Sequence, residues 1–162
     1  MELVEATAED VDVLAAYWFS LASEMEQYST LNELAVEGPA DVESGFEELL
    51  DGDDTTPFLL DVDGTTVGYL LLRRDEHPTR ELSEYATIVD LFVEESHRDQ
   101  GLGSEAIDAA KRVAAERGAD YLTVSCEWGN DGARRFYETN GFTAKQVTYA
   151  QELETTARGD DG

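Results

Sequence analysis

Val89-Asp-Leu-Phe-Val-Glu-Glu-Ser-His-Arg-Asp-Gln-Gly-Leu-Gly-Ser104 carries most of what can be read from this chain. An apolar run, broken once by Asp90, passes through a polar turn into two glycines that open a helix. The first N–H groups of a helix have no partner inside it. With no Cβ at Gly101 and Gly103, those groups can approach and cradle a phosphate at the positive end of the helix dipole. Arg98 stands close enough to add positive charge, a need sharpened by an acidic chain. A plain glycine turn before a helix would look the same in isolation, so the flanking sequence has to decide.

Toward the N-terminus, Leu3-Val-Glu-Ala-Thr7 alternates as a short strand, and Thr7-Ala-Glu-Asp10 resembles a capping box ahead of a helix. That helix places Val11, Leu14, Ala15, Trp18, Leu21, Ala22 and Met25 at three-to-four spacing, so one face is buried. A second helix is expected over residues 41–50, ended by Asp51-Gly-Asp-Asp54. Residues 57–62 and 66–73 read as strands joined by Asp63-Gly64, a strong hairpin signal. Residues 85–93 form a third strand of this meander. A helix runs from the glycines to Arg117 and stops at Gly118. Residues 121–126 read as a strand, 130–139 as a short helix, and 142–153 as a last strand or strand pair. No repeat and no linker interrupts this order. Residues 1–154 are therefore expected to form one domain and residues 155–162 a flexible polar tail. The order β-α-α-β-β-β-α-β-α-β is that of a mixed α/β sheet.

The 162 residues carry 11 Lys+Arg against 37 Asp+Glu, a formal charge of −26. The acids are spread along the whole chain rather than gathered in a tail. Such a surface repels itself in dilute salt and is screened in concentrated salt, which points to a halophilic protein in a salty cytoplasm. An acidic face that attracts polyamines or basic peptides is the alternative. Nucleic acid is not an expected partner, because affinity there comes from Lys and Arg at phosphates. No run approaches the roughly 20 apolar residues of a membrane span, and no basic-then-apolar leader opens the chain. The expectation is a cytoplasmic protein with no membrane contact. Cys126 stands alone, which excludes an internal disulfide, and His77 and His97 are too far apart for metal-ligand spacing, so no metal is expected.

Two kinds of phosphate site can be weighed from the residues. Gly101-Leu-Gly-Ser-Glu-Ala106 fits the dinucleotide pattern with Ala last, and Asp120 lies near the distance of a ribose-binding acid. Yet those glycines should follow the first strand tightly, and the acid should close its strand, whereas Asp120 precedes Tyr121-Leu-Thr-Val124. A P-loop is excluded because no Gly-Lys-Ser/Thr follows.

Arg98-Asp-Gln-Gly-Leu-Gly103 resembles the Arg/Gln-x-x-Gly-x-Gly/Ala signature of the GNAT superfamily of acyl-CoA-dependent N-acetyltransferases. Leu91-Phe-Val93 before it is similar to the hydrophobic strand that leads into that signature. Asn130-Asp-Gly-Ala133, followed by Phe136-Tyr137 and Gly141-Phe142, resembles the family's Asn-x-x-Ala-x-x-x-Tyr and Gly-Phe. The two motifs stand in the right order, separated by one helix and one strand. The resemblance implies a mostly antiparallel central sheet flanked by helices.

It also implies roles. The pyrophosphate of acetyl-CoA would sit on the N–H groups of Gln100, Gly101, Leu102, Gly103 and Ser104, with the Arg98-Asp99 turn shaping the loop. Leu91, Phe92 and Val93 would pair their backbone with the pantetheine arm, as an added strand pairs with a sheet edge. One of their N–H groups would polarise the thioester carbonyl. Asn130 would contact the pantetheine where two strands splay, and it suits a helix N-cap equally well. Tyr137 would be the general acid that protonates the departing thiolate, since a phenol of pKa about 10 keeps its proton at neutral pH. Phe136 and Phe142 read as packing.

The base is open. An amine is mostly protonated at pH 7 and must lose a proton before it attacks. Asp90, Glu127 and Glu84 are the strand carboxylates available, and each could equally be an exposed acid in so acidic a chain. Asp90 stands out because it interrupts an apolar strand. Cys126 has no neighbouring histidine and sits where a buried apolar residue would suit, so an acyl-enzyme is set aside.

The expected activity is transfer of an acetyl group to a small-molecule or peptide amine by direct attack in a ternary complex. A non-catalytic acyl-CoA-binding module and a nucleotide-dependent oxidoreductase are the alternatives. In this family the acceptor is set by the loop between the first two helices, residues 27–40, and by the final strands. Tyr28, Glu33, Glu37 and Glu43 could line an anionic pocket there. Family members often pair into homodimers, although no residue of this chain shows it.

Overall fold

The computed structural model describes residues 1–154; the tail expected over residues 155–162 lies outside the described residues. In chain order the elements are β1 (Glu2–Glu5), α1 (Val11–Met25), α2 (Glu43–Asp51), β2 (Thr55–Val62), β3 (Thr65–Glu76), β4 (Glu84–Val93), α3 (Leu102–Glu116), β5 (Tyr121–Val124) and α4 (Asp131–Thr139). Short 3-10 turns precede α1 and α2 and follow α1 and β4. The Thr7 N–H donates to the Asp10 carboxylate at 2.8 Å, closing the turn that launches α1. Asp63 and Gly64 both take positive φ, 51° and 88°, as a two-residue hairpin matching the strand twist requires.

The sheet runs in the order β1-β2-β3-β4-β5. The first three pairings are antiparallel and β4–β5 is parallel. β3 is the central strand, and its run Val67–Leu72 is apolar throughout because both faces are covered. Leu70 and Leu72, with Ala86 and Ile88 of β4, pack on Leu102, Ala106, Ile107, Ala110 and Ala114 of α3. Tyr69 and Leu71, with Phe92 of β4, pack on Val11, Leu14, Ala15 and Tyr17 of α1 and Phe46 of α2. A period of two along the strand separates the two cores.

Two irregularities in β4 govern where its side chains point and which of its backbone groups stay unpaired. Leu71 faces Asp90 while Leu72 faces Ile88, so Val89 is an extra residue and β4 is bulged there. Ile88 belongs to the α3 face, whereas Asp90 and Phe92 belong to the α1 face; the bulge reverses the alternation. In addition, β5 pairs with β4 only from Tyr85 to Ile88, so residues 89–93 carry no strand on that side. Close approach on the other side depends on Gly68, opposite Val93, where a Cβ would lie 2.0 Å from the Phe92 carbonyl oxygen.

The mixed α/β class stands, with one element corrected. The strand expected over residues 142–153 does not form among the described residues. Phe142 is anchored, edge-to-face on Tyr137 at 5.8 Å and under the Lys111 ammonium, but Val147, Tyr149 and Leu153 are exposed. A strand exists only through a paired neighbour, and an alternating sequence cannot provide one by itself.

Candidate active site

A cleft of about 950 Å³ opens where β4 and β5 part. That lies at the upper end of the range typical of small-molecule and cofactor sites. Its floor is residues 88–93 of β4. One side is the 97–104 loop with the start of α3, and the other is the end of α1 with Asn32 and Leu34. Val124 to Glu127 and the first turns of α4 close it.

The glycine loop is built to leave amides free. Asp99 and Gly101 both take positive φ, 64° and 82°, reversing the chain so that α3 starts at Leu102. The ladder of α3 begins with Glu105 N–H donating to the Gly101 carbonyl at 3.1 Å. The N–H groups of Leu102, Gly103 and Ser104 therefore precede it. A Cβ at Gly101 would meet nothing within 4 Å, so its absence leaves open space before these donors. Gly103 differs: a Cβ there would lie 3.0 Å from the Phe136 ring, so this glycine also lets α4 pack on α3. Leu102 is buried in the core and also lines the cleft.

Arg98 turns inward. Its Nε donates to the Val93 carbonyl at 2.8 Å and its Nη2 to Glu24 Oε1 at 2.8 Å, which ties the loop to the end of β4 and to α1. Both of these guanidinium groups, Nε and Nη2, are therefore engaged by protein partners. Asn130 caps α4, its Oδ1 accepting from the Ala133 N–H at 3.0 Å, while the residue still lines the cleft.

Tyr137 packs between Phe136 and Phe142 and lines the cleft. Burial first, then the nearby Cys126 and Asp90, push its phenol up to about 12, so it holds its proton through the working range. Asp90 is half-buried and accepts a hydrogen bond from the Tyr69 hydroxyl at 2.9 Å. Burial raises its carboxyl above the ordinary value, and the Tyr69 bond opposes that shift. Glu127 Oε1 accepts from Asn32 Nδ2 at 2.8 Å, and the same amide donates to the Met25 carbonyl at 3.0 Å.

Three expectations are corrected. Glu84 begins β4 at the far end of the sheet from the cleft, beside Asp120, whose carboxylate accepts its N–H at 3.1 Å. The same contact makes Asp120 a tie between strand ends rather than a ribose ligand. Tyr28, Glu33, Glu37 and Glu43 do not line the cleft. Cys126 is exposed and lies beyond the end of β5 on the cleft wall rather than within the sheet, and burial raises its thiol, which leaves little reactive thiolate. Sequence reasoning missed Tyr69, Asn32 and the apolar wall of Trp18, Leu21, Met25 and Leu34. Tyr69 lies hidden in an apolar run and Asn32 in a polar loop, with no local pattern to single out either.

Residues 18–142 match the Acetyltransferase (GNAT) family. The chain belongs to that family. An uncharacterized N-acetyltransferase of Archaeoglobus fulgidus is 27% identical over 137 residues, covering 85% of this chain and 89% of the relative. A mutant protein from Bacillus halodurans superposes with a TM-score of 0.81 at 21% identity, covering 95% of this chain and all of that one. An aminoglycoside acetyltransferase from a soil metagenome, in complex with sisomicin, gives a TM-score of 0.69 at 20% identity over 94% of this chain and 96% of that one. The solved structures share the GNAT fold. The family and its N-acetyltransferase relatives support acyl transfer in general, and the dinucleotide reading of the glycines gives way to it. Among the described residues no helix is long and apolar enough to cross a membrane, and no group of three His, Cys, Asp or Glu side chains is placed to hold a metal ion.

Proposed function

We propose that this GNAT protein is an N-acetyltransferase that moves an acetyl group from acetyl-CoA to an amine by direct attack in a ternary complex. One observation carries the reading: the unpaired edge of β4 beyond Val89 runs beside the free amides at the start of α3, with Tyr137 on the same cleft. The residues fit the cosubstrate. The amides of Leu102, Gly103 and Ser104, with the open space at Gly101, suit a pyrophosphate, and the backbone of Leu91 to Val93 suits an extended arm laid along a sheet edge. Acetyl-CoA supplies an activated acyl thioester. An N–H group of the free β4 edge stabilises charge growing on the carbonyl oxygen. Tyr137 donates its proton to the leaving sulfur. Asp90 or Glu127 takes the proton of the incoming amine, directly or through water, and burial brings Asp90 nearer the pH at which a base works well.

The deciding test is calorimetric titration with acetyl-CoA in molar KCl, with NADH as comparator, followed by CoA release with amines. Acetyl-CoA should bind and NADH should not. Tyr137→Phe should lower kcat roughly 10²-fold without weakening acetyl-CoA. Binding without turnover, with Tyr137→Phe silent, would support the non-catalytic module instead.

The same reading holds residues 1–154 as one domain in the cytoplasm, without nucleic acid or membrane. It takes the net charge of −26 as adaptation to salt. The melting temperature should then rise by several degrees from dilute to molar KCl, as screening relieves repulsion; a flat response counts against it. A homodimer is a possible assembly, which sedimentation velocity would test.

A further inference from the structure

Resting on the acyl-transfer reading, we infer that the acceptor is a primary ammonium on an apolar body, with no carboxylate beside the amine. The cleft wall formed by α1 and the loop after it is mostly apolar. Trp18, Leu21 and Met25 recur at helical spacing along α1, and Leu34 joins them from the following loop. Such a wall removes water from a hydrocarbon or aromatic body and offers few partners to hydroxyls. Glu24 and Asn32 are the polar side chains within it: Glu24 is held by Arg98, and both donated bonds of Asn32 are taken, by Glu127 and the Met25 carbonyl.

The charged groups of the cleft point the same way. Asp90 and Glu127 line it without a cationic partner, so an ammonium entering there finds carboxylates waiting. The basic side chains lining it are His97 and Arg98, both on the cosubstrate side. Arg98 is engaged by Glu24 and the Val93 carbonyl, and His97 lies 3.5 Å from Glu94. A carboxylate next to the amine would therefore be drawn from water toward Asp90 and Glu127 with no cation to meet it. Free α-amino acids are disfavoured on charge, and short polar amines on the lack of an apolar body.

Phenethylamine, phenylalanine, ethylamine and phenethyl alcohol separate these features, because phenylalanine is phenethylamine plus the carboxylate. The chain has two tryptophans, Trp18 and Trp128, and Trp128 is exposed outside the cleft wall. In a Trp128→Phe protein saturated with CoA in molar KCl, Trp18 emission reports occupation of this wall directly. Phenethylamine should half-saturate the signal at a concentration at least tenfold below phenylalanine, ethylamine and the alcohol. Glu127→Gln should raise that concentration at least fivefold while leaving the alcohol unchanged. Equal or tighter binding of phenylalanine, ethylamine or spermidine overturns the inference, as does no response to phenethylamine, while the acyl-transfer reading survives as long as CoA binds. If calorimetry shows no CoA binding to a folded sample, the acyl-transfer reading falls first and this inference with it.

Discussion

The two halves of β4 behave as different structures. From Tyr85 to Ile88 the strand is paired on both sides, its side chains alternate regularly, and Ala86 and Ile88 are core. Past the bulge at Val89, residues Asp90 to Val93 are paired only with β3, their alternation is reversed, and their free edge floors the cleft. The first half is stabilised like any central strand. The second keeps unpaired backbone groups and a half-buried carboxylate, an arrangement that adds little stability but suits binding and proton transfer. A strand can serve both needs because β5 stops at Val124.

The largest effect should come from attacking the contact that holds the free half in place. Gly68→Ala puts a Cβ 2.0 Å from the Phe92 carbonyl oxygen, backbone against backbone. The expected loss is about 3 kcal/mol, with the melting temperature lowered by roughly 6–12 °C in thermal denaturation. An unchanged melting temperature would mean that the second half is not pressed on β3 as described.

Next comes Asp90, which the bulge aims at Tyr69. If it is the base, Asp90→Asn should lower kcat at least about 10²-fold with acetyl-CoA affinity within about twofold of the parent. Burial places its folded pKa above the unfolded value. The acidic limb of kcat/KM should therefore inflect above the ordinary carboxylate range and vanish in the variant. The stability linked to this group is present below its unfolded pKa and lost as pH rises through the folded one. The Asn variant should thus gain in melting temperature relative to the parent as pH rises. A limb that persists in Asp90→Asn transfers the role to Glu127.

The smallest change tests the loop without touching the core. Gly101→Ala forces a Cβ into left-handed backbone, at about 1–2 kcal/mol, but into open space. Acetyl-CoA should bind roughly tenfold more weakly, while the melting temperature falls by only a few degrees. Gly103→Val is less clean, because its side chain would collide with Phe136 and disturb the packing of α4 on α3.

Much of this was legible because the signals are local. The Asp63-Gly64 turn, the apolar spacing of α1, the glycines opening α3, the Asn130 cap and the acidic charge all act within a few residues or through composition alone. What stayed hidden depends on distant partners. The one-residue bulge that carries Asp90 from one core to the other exists only in the register between β3 and β4. Asn32 meets Glu127 across 95 positions of chain, and Glu33, one residue later, does not line the cleft. The alternation after Phe142 announces a strand, yet a strand needs an edge to pair with. The amino-acid sequence alone determined the order of elements as far as α4, the glycine turn that opens α3 and the family. Only the tertiary structure decided which carboxylates share the cleft, because register, bulge and splay arise from pairings between strands that no local pattern encodes.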